Sequence, residues 1–200
     1  MTFAVIELKR TVNVLRRQMK KIAFSLLCFL MSAPLWVFAD GSVERAFSAT
    51  NVKYVPFNAA QSNVSKAEKE FLNRLFNLVG KSVVKRVVNF QRLHAGKTEG
   101  VDIAGYSELA SQISAVAAPP KLEKIKRLIV DAIQEQVRVM SFAQNEIRQG
   151  RSVNMLNEPR VRSSSSMLHQ AHQQLIQLYP KEGSQNKEAF EKYLCALDLI

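Results

Sequence analysis

From residue 65 onward, apolar residues recur at intervals of three and four, the period of helices that bury one face. The clearest stripe is Leu72, Leu75, Phe76, Val79, Val83, Val87, Phe90 and Leu93. It predicts a helix that opens on the capping box Ser65 to Glu68 and runs to about His94, where Ala95 and Gly96 stop it. Ile103, Tyr106, Leu109, Ile113 and Val116 mark a shorter helix, halted by Pro119 and Pro120. Pro120 then suits the first turn of a third helix, with Leu122, Ile125, Ile129, Ile133, Met140 and Ile147 on one line and Gly150 at its end. Gln136 falls within that stripe and needs a hydrogen-bond partner if buried.

Residues 151–162 contain Asn157, Glu158 and Pro159 and read as a connection. A fourth helix is predicted over Ser163–Tyr179, with one serine of the run Ser163–Ser166 as its N-cap and Pro180 after it. A fifth starts near Ser184 and turns Phe190, Tyr193, Leu194 and Leu197 inward. No strand pattern and no internal repeat competes. The expected fold is therefore all-α: an antiparallel bundle of four to five helices over residues 65–200. Its two longest members have about thirty residues each, or ~45 Å. Residues 40–64 show no sustained period around Phe47, Tyr54 and Phe57 and are expected to be an extended lead-in.

The first 39 residues follow a different plan. Met19, Lys20 and Lys21 form a short positive segment, Ile22 to Leu30 an apolar one, and Pro34 breaks it before Val37, Phe38 and Ala39. That order is the tripartite layout of a secretory signal, with cleavage expected after Ala39. Residues 1–18 fit poorly ahead of it, and a start at Met19 restores ordinary proportions. The alternative is an uncleaved anchor, since Ile22 to Phe38 is just long enough to span a thin bilayer. Cleavage places the mature domain in the periplasm or outside the cell. Membrane contact is expected only through an uncleaved signal segment.

Export changes the meaning of the charge. The formal net charge is +11, but the first 39 residues hold six cations against Glu7, which leaves about +6 on the mature domain. That charge is dispersed and not interleaved with aromatic residues, so nucleic acid is a disfavoured partner. One cluster is organised. Arg74, Lys81, Lys85 and Arg92 are seven, four and seven residues apart, opposite the apolar stripe of their helix. They would form a basic strip about 27 Å long. The strip reads either as an ordinary solvated face or as a contact for a protein or an anionic envelope component.

Candidate chemistry is sparse. His169 and His172 are three residues apart on one helix and His94 lies on the apolar side of another. If those helices meet, the three could hold a metal or haem, with Met140 or Tyr179 nearby. The competing reading makes them core, cap or solvated residues. Neither the Glu-x-x-His pairs of a di-iron bundle nor the Cys-x-x-Cys-His of a c-type haem occurs, and no cofactor is specified. Cys195 is the only cysteine after Ala39; it is either buried or available to link two copies of the chain. Phosphate-binding, nucleophile-elbow and zinc-protease motifs are absent. No nucleophile, base and orienting group can be nominated together, so catalysis is disfavoured. The expected function is binding. A metal- or haem-binding bundle and a secreted effector are the alternatives.

Overall fold

The computed structural model describes residues 40–199. The expected signal segment and its cleavage site lie outside the described residues. Among the described residues all regular structure is helical, as the periodicity predicted. Six α-helices occur: α1 (Asp40–Ser48), α2 (Lys66–His94), α3 (Ile103–Ala115), α4 (Glu123–Arg148), α5 (Pro159–Leu178) and α6 (Ser184–Leu197). Three 3-10 turns, Ala59–Gln61, Pro120–Leu122 and Met155–Asn157, join them.

The chain ends its long helices as the sequence signals. At the start of α2, Glu68 accepts the Ser65 backbone N–H at 2.9 Å. At its end, Lys97 N–H donates to the Arg92 carbonyl at 2.9 Å and Gly96 N–H to that of Leu93 at 3.0 Å. This closure needs a left-handed residue, and Gly96 supplies it at φ 69°. Gly150 ends α4 in the same way at φ 74°. Between these ends, Leu72, Leu75, Val79 and Val83 are fully buried. Phe90 is only half-buried and stacks on His94, 5.9 Å between ring centres. The most extensive pairing is α4 with α5; α3 lies between α2 and α4, and α6 rests on α2 and α5.

Two boundaries differ from expectation. The fourth predicted helix begins at Pro159 rather than Ser163, because Glu158 is its N-cap and proline is well suited to the first helical position. The serines therefore lie inside the helix and none caps it. Ser164 is fully buried, and Ser165 Oγ donates to Asp198 Oδ2 at 2.6 Å. The second difference is the lead-in, expected to be extended. Its first nine residues form α1, and the rest is pinned by aromatic rings. Phe47 is fully buried, edge-on to Tyr54 (5.2 Å) and Tyr193 (5.1 Å). Phe57 packs on Phe76 (5.6 Å) and Phe190 (5.9 Å). A few large rings supply the burial, so no helical period is needed.

Gln136 confirms its need for partners. It is wholly buried, accepts the Tyr106 hydroxyl at 2.5 Å, and donates to Ser164 Oγ and to the Leu197 carbonyl, each at 2.9 Å. One side chain thus ties α3, α4, α5 and α6 together. Next to it, buried Arg86 on α2 donates from Nη2 to the Ala196 carbonyl at 2.8 Å. Two carbonyls that α6 leaves unpaired at its C-terminal end are satisfied by these two residues. Burial pushes the Tyr106 phenol well above its usual range, with the Arg86 charge opposing.

Gln136→Ala strands the Tyr106 hydroxyl and the Leu197 carbonyl in a dry interior, and is expected to cost about 2–3 kcal/mol. Urea unfolding followed by circular dichroism measures it. A loss below about 1 kcal/mol would mean that the network is not what holds these helices together.

Candidate functional site

The four cations of the α2 strip divide into two pairs. Lys85 makes an ion pair with Asp102, and Arg92 Nη1 donates to the Glu99 carbonyl at 2.6 Å. Between them, buried Asn89 exchanges two hydrogen bonds with the Asp102 backbone, at 2.8 and 3.0 Å. Asp102 in turn caps α3 by accepting the Gly105 N–H at 2.8 Å. Its carboxyl is held below the usual range by Lys85 and then by Gly105. Lys85 and Asp102 are 42% and 47% exposed, so their ion pair contributes little to stability. The C-terminal half of the strip therefore fastens the α2–α3 connection. Its partners lie in a loop whose course the helical wheel cannot predict.

Arg74 and Lys81 have a different setting. Both are exposed, and neither makes an ion pair among the described residues. They border a shallow depression of about 530 Å³ between α2 and α3, completed by Asn73, Asn77, Leu78, Gln112 and Ala115. None of those lining residues is acidic. The remaining free cations of the strip thus stand on a polar hollow rather than on a plain convex face.

The histidines do not form a ligand set. His94 is exposed against Phe90, and His169 is exposed with its Nε2 2.8 Å from Gln173 Nε2. His172 is half-buried; burial lowers its proton affinity, opposed by Glu191, with His169 adding to the lowering. Met140 is fully enclosed in the core, and Tyr179 lies under Lys121. Among the described residues, no group of three His, Cys, Asp or Glu is arranged to hold a metal.

Cys195 is exposed on α6. Partial burial raises its thiol, Glu191 and Asp198 raise it further, and Lys192 opposes. The thiolate is thereby disfavoured, the opposite of an activated nucleophile. It borders a hollow of about 180 Å³ with Arg86, Thr50, Gln91 and Asp198. Arg86 Nε has no hydrogen-bond partner among the described residues; burial lowers the proton affinity of its guanidinium, with Tyr106 and Asp198 opposing.

A polar cluster that the sequence did not signal joins the lead-in to the helices. Glu68, read only as half of a capping box, is 5% exposed. Its Oε2 also accepts Ser65 Oγ at 2.7 Å, while Oε1 accepts Tyr179 at 3.2 Å and pairs with Lys121. The Lys121 ammonium sits 5.1 Å from the centre of the Tyr179 ring. Nearby Glu182, equally buried, accepts Ser62 Oγ (2.7 Å), Asn186 Nδ2 (3.1 Å), and the N–H groups of Gly183 (3.1 Å) and Asn63 (3.4 Å). Burial pushes the Glu182 carboxyl up, but these donors together outweigh it and hold it below its usual range. Burial and the Glu182 charge push the Tyr179 phenol up to about 12. With every carboxylate oxygen engaged, the cluster acts as a latch on residues 62–68. The hollow beside it is about 280 Å³.

No protein-family model, curated protein or solved structure matches this chain. Among the described residues no helix is long and apolar enough to cross a membrane.

The latch makes a statement about acid. Because the folded-state value of Glu182 lies below its unfolded one, its stabilisation is present above the carboxylate range and is lost as pH falls through it. Unfolding midpoints should therefore drop between about pH 5 and pH 3, and Glu182→Gln should lower the neutral-pH midpoint and flatten that drop. An acid limb with the same slope in Glu182→Gln would assign the loss to other groups.

Proposed function

We propose that the chain is an exported protein, built as an antiparallel helical bundle, that acts by binding an anionic component of the cell envelope through the Arg74 and Lys81 face of α2. The observation that carries this reading is the pair of exposed cations without a described counter-charge, set on the rim of a polar depression. Uncompensated cations around a concave surface raise the local concentration of anions and speed their encounter. The Glu68 and Glu182 carboxylates and Gln136 spend their hydrogen bonds on holding the fold together, which supports a binding role rather than a catalytic one. Export to the periplasm or the extracellular space rests on the order of charged, apolar and small residues ahead of Asp40.

Two measurements test the reading. Protein expressed with its own N-terminus and recovered from the envelope should have the mass of residues 40–200, and retention of Ile22–Ala39 would make it membrane-anchored instead. Arg74→Glu with Lys81→Glu should weaken retention on isolated envelope material by about tenfold or more at low salt, an effect that added salt shrinks. The unfolding midpoint should not move, since both side chains are exposed. Undiminished retention in the folded double variant removes this face from the function.

A further inference from the structure

The hollow beside Arg74 and Lys81 is lined in a way that selects among anions. Seven residues separate the two cations, two turns of α2, so their backbone positions lie about 10 Å apart along the axis. A nucleic-acid strand carries its charges far more densely than that, and its binders neutralise many phosphates at once. Two cations at this separation suit acids about two sugar rings apart along a glycan chain. Between and beside them stand three carboxamides. Asn73 and Asn77 are one turn apart on α2, both exposed, and neither side chain makes a hydrogen bond among the described residues. Gln112 faces them from α3; its Nε2 donates to Glu108 at 3.3 Å, which leaves its carbonyl oxygen as an acceptor.

A carboxamide offers donors and an acceptor side by side, and a sugar hydroxyl offers both as well. A fully ionised phosphate has no comparable use for unoccupied acceptors, and a hydroxylated lipid headgroup is told apart from a glycan by the vesicle arm of the test below. The apolar part of the lining, Leu78 and Ala115, offers a patch suited to the C–H face of a sugar ring, with no aromatic platform for a base. We infer that the depression between α2 and α3 binds an acidic glycan, its carboxylates paired with Arg74 and Lys81 and its hydroxyls with Asn73, Asn77 and Gln112. This deepens the binding proposal and rests on it.

The test is calorimetric titration of the full protein with polygalacturonate, dextran, inorganic polyphosphate and phosphatidylglycerol vesicles. Two variants are compared with the unmodified chain: Arg74→Glu with Lys81→Glu, and Asn73→Ala with Asn77→Ala and Gln112→Ala. The expected result is binding of polygalacturonate over dextran, weakened about tenfold by the amide variant, one net hydrogen bond or more in free energy. Any polyphosphate binding should be untouched by the amide variant and sensitive to charge reversal. If the amide variant binds polygalacturonate normally, or if vesicles or polyphosphate bind more tightly than the glycan, the glycan inference falls while the basic face stands. If charge reversal changes no anion's affinity, the basic face itself falls. All the substituted residues are exposed, and unchanged unfolding midpoints verify that both variants fold.

Discussion

The structure turns on how the last helix ends. A helix leaves carbonyls without partners at its C-terminal end, and α6 places two of them, on Ala196 and Leu197, where water does not reach. Arg86 and Gln136 reach them from α2 and α4, and Gln136 is itself held by Tyr106 and Ser164. Polar groups in an interior stabilise when they are partnered, and Gln136 has partners for its carbonyl and its amide nitrogen. Every helix that meets this point is thereby fixed in rotation as well as position: a slip of one residue on α4 would put Glu135 or Val137 where the carboxamide must be. Apolar packing alone tolerates such exchanges, and this network does not.

A second polar group governs the other end of the same helices. The Glu68 and Glu182 carboxylates gather donors from Ser62, Asn63, Ser65, Lys121, Tyr179 and Asn186, converting a stretch without regular structure into part of the fold. The aromatic cluster of Phe47, Tyr54, Phe57, Phe76, Phe190 and Tyr193 lies along the same segment and contributes the burial. Rings position the chain and carboxylates lock it.

Much of the helical plan was legible from spacing alone. The α2 stripe, its capping box, both glycine stops and the buried position of Gln136 depend on local chemistry that a helical period reports directly. What escaped were features that depend on distant residues. The nine residues of α1 are too few to show a period, and Phe47 owes its burial to Tyr193. Pro159 begins α5 because a 3-10 turn delivers the chain to it, which a run of serines concealed. The basic strip was visible as a face, but only folding shows that Lys85 and Arg92 serve the loop after α2 while Arg74 and Lys81 remain beside a hollow. The three histidines shared a plausible side of their helices, yet a shared side does not bring separate helices into contact.

The latch also has a consequence in time. Asn58 exchanges hydrogen bonds with Asn186, 128 positions later in the chain, and Ser62 binds Glu182 across a similar span. A ribosome makes the lead-in first and its partners last. The early segment must therefore wait, with Phe47, Tyr54 and Phe57 lacking the cover of Phe190 and Tyr193, until α6 has been synthesised. Such long-range closure slows folding and prolongs the exposure of sticky surface. The contact that seals the domain cannot form until nearly the whole polypeptide has emerged from the ribosome.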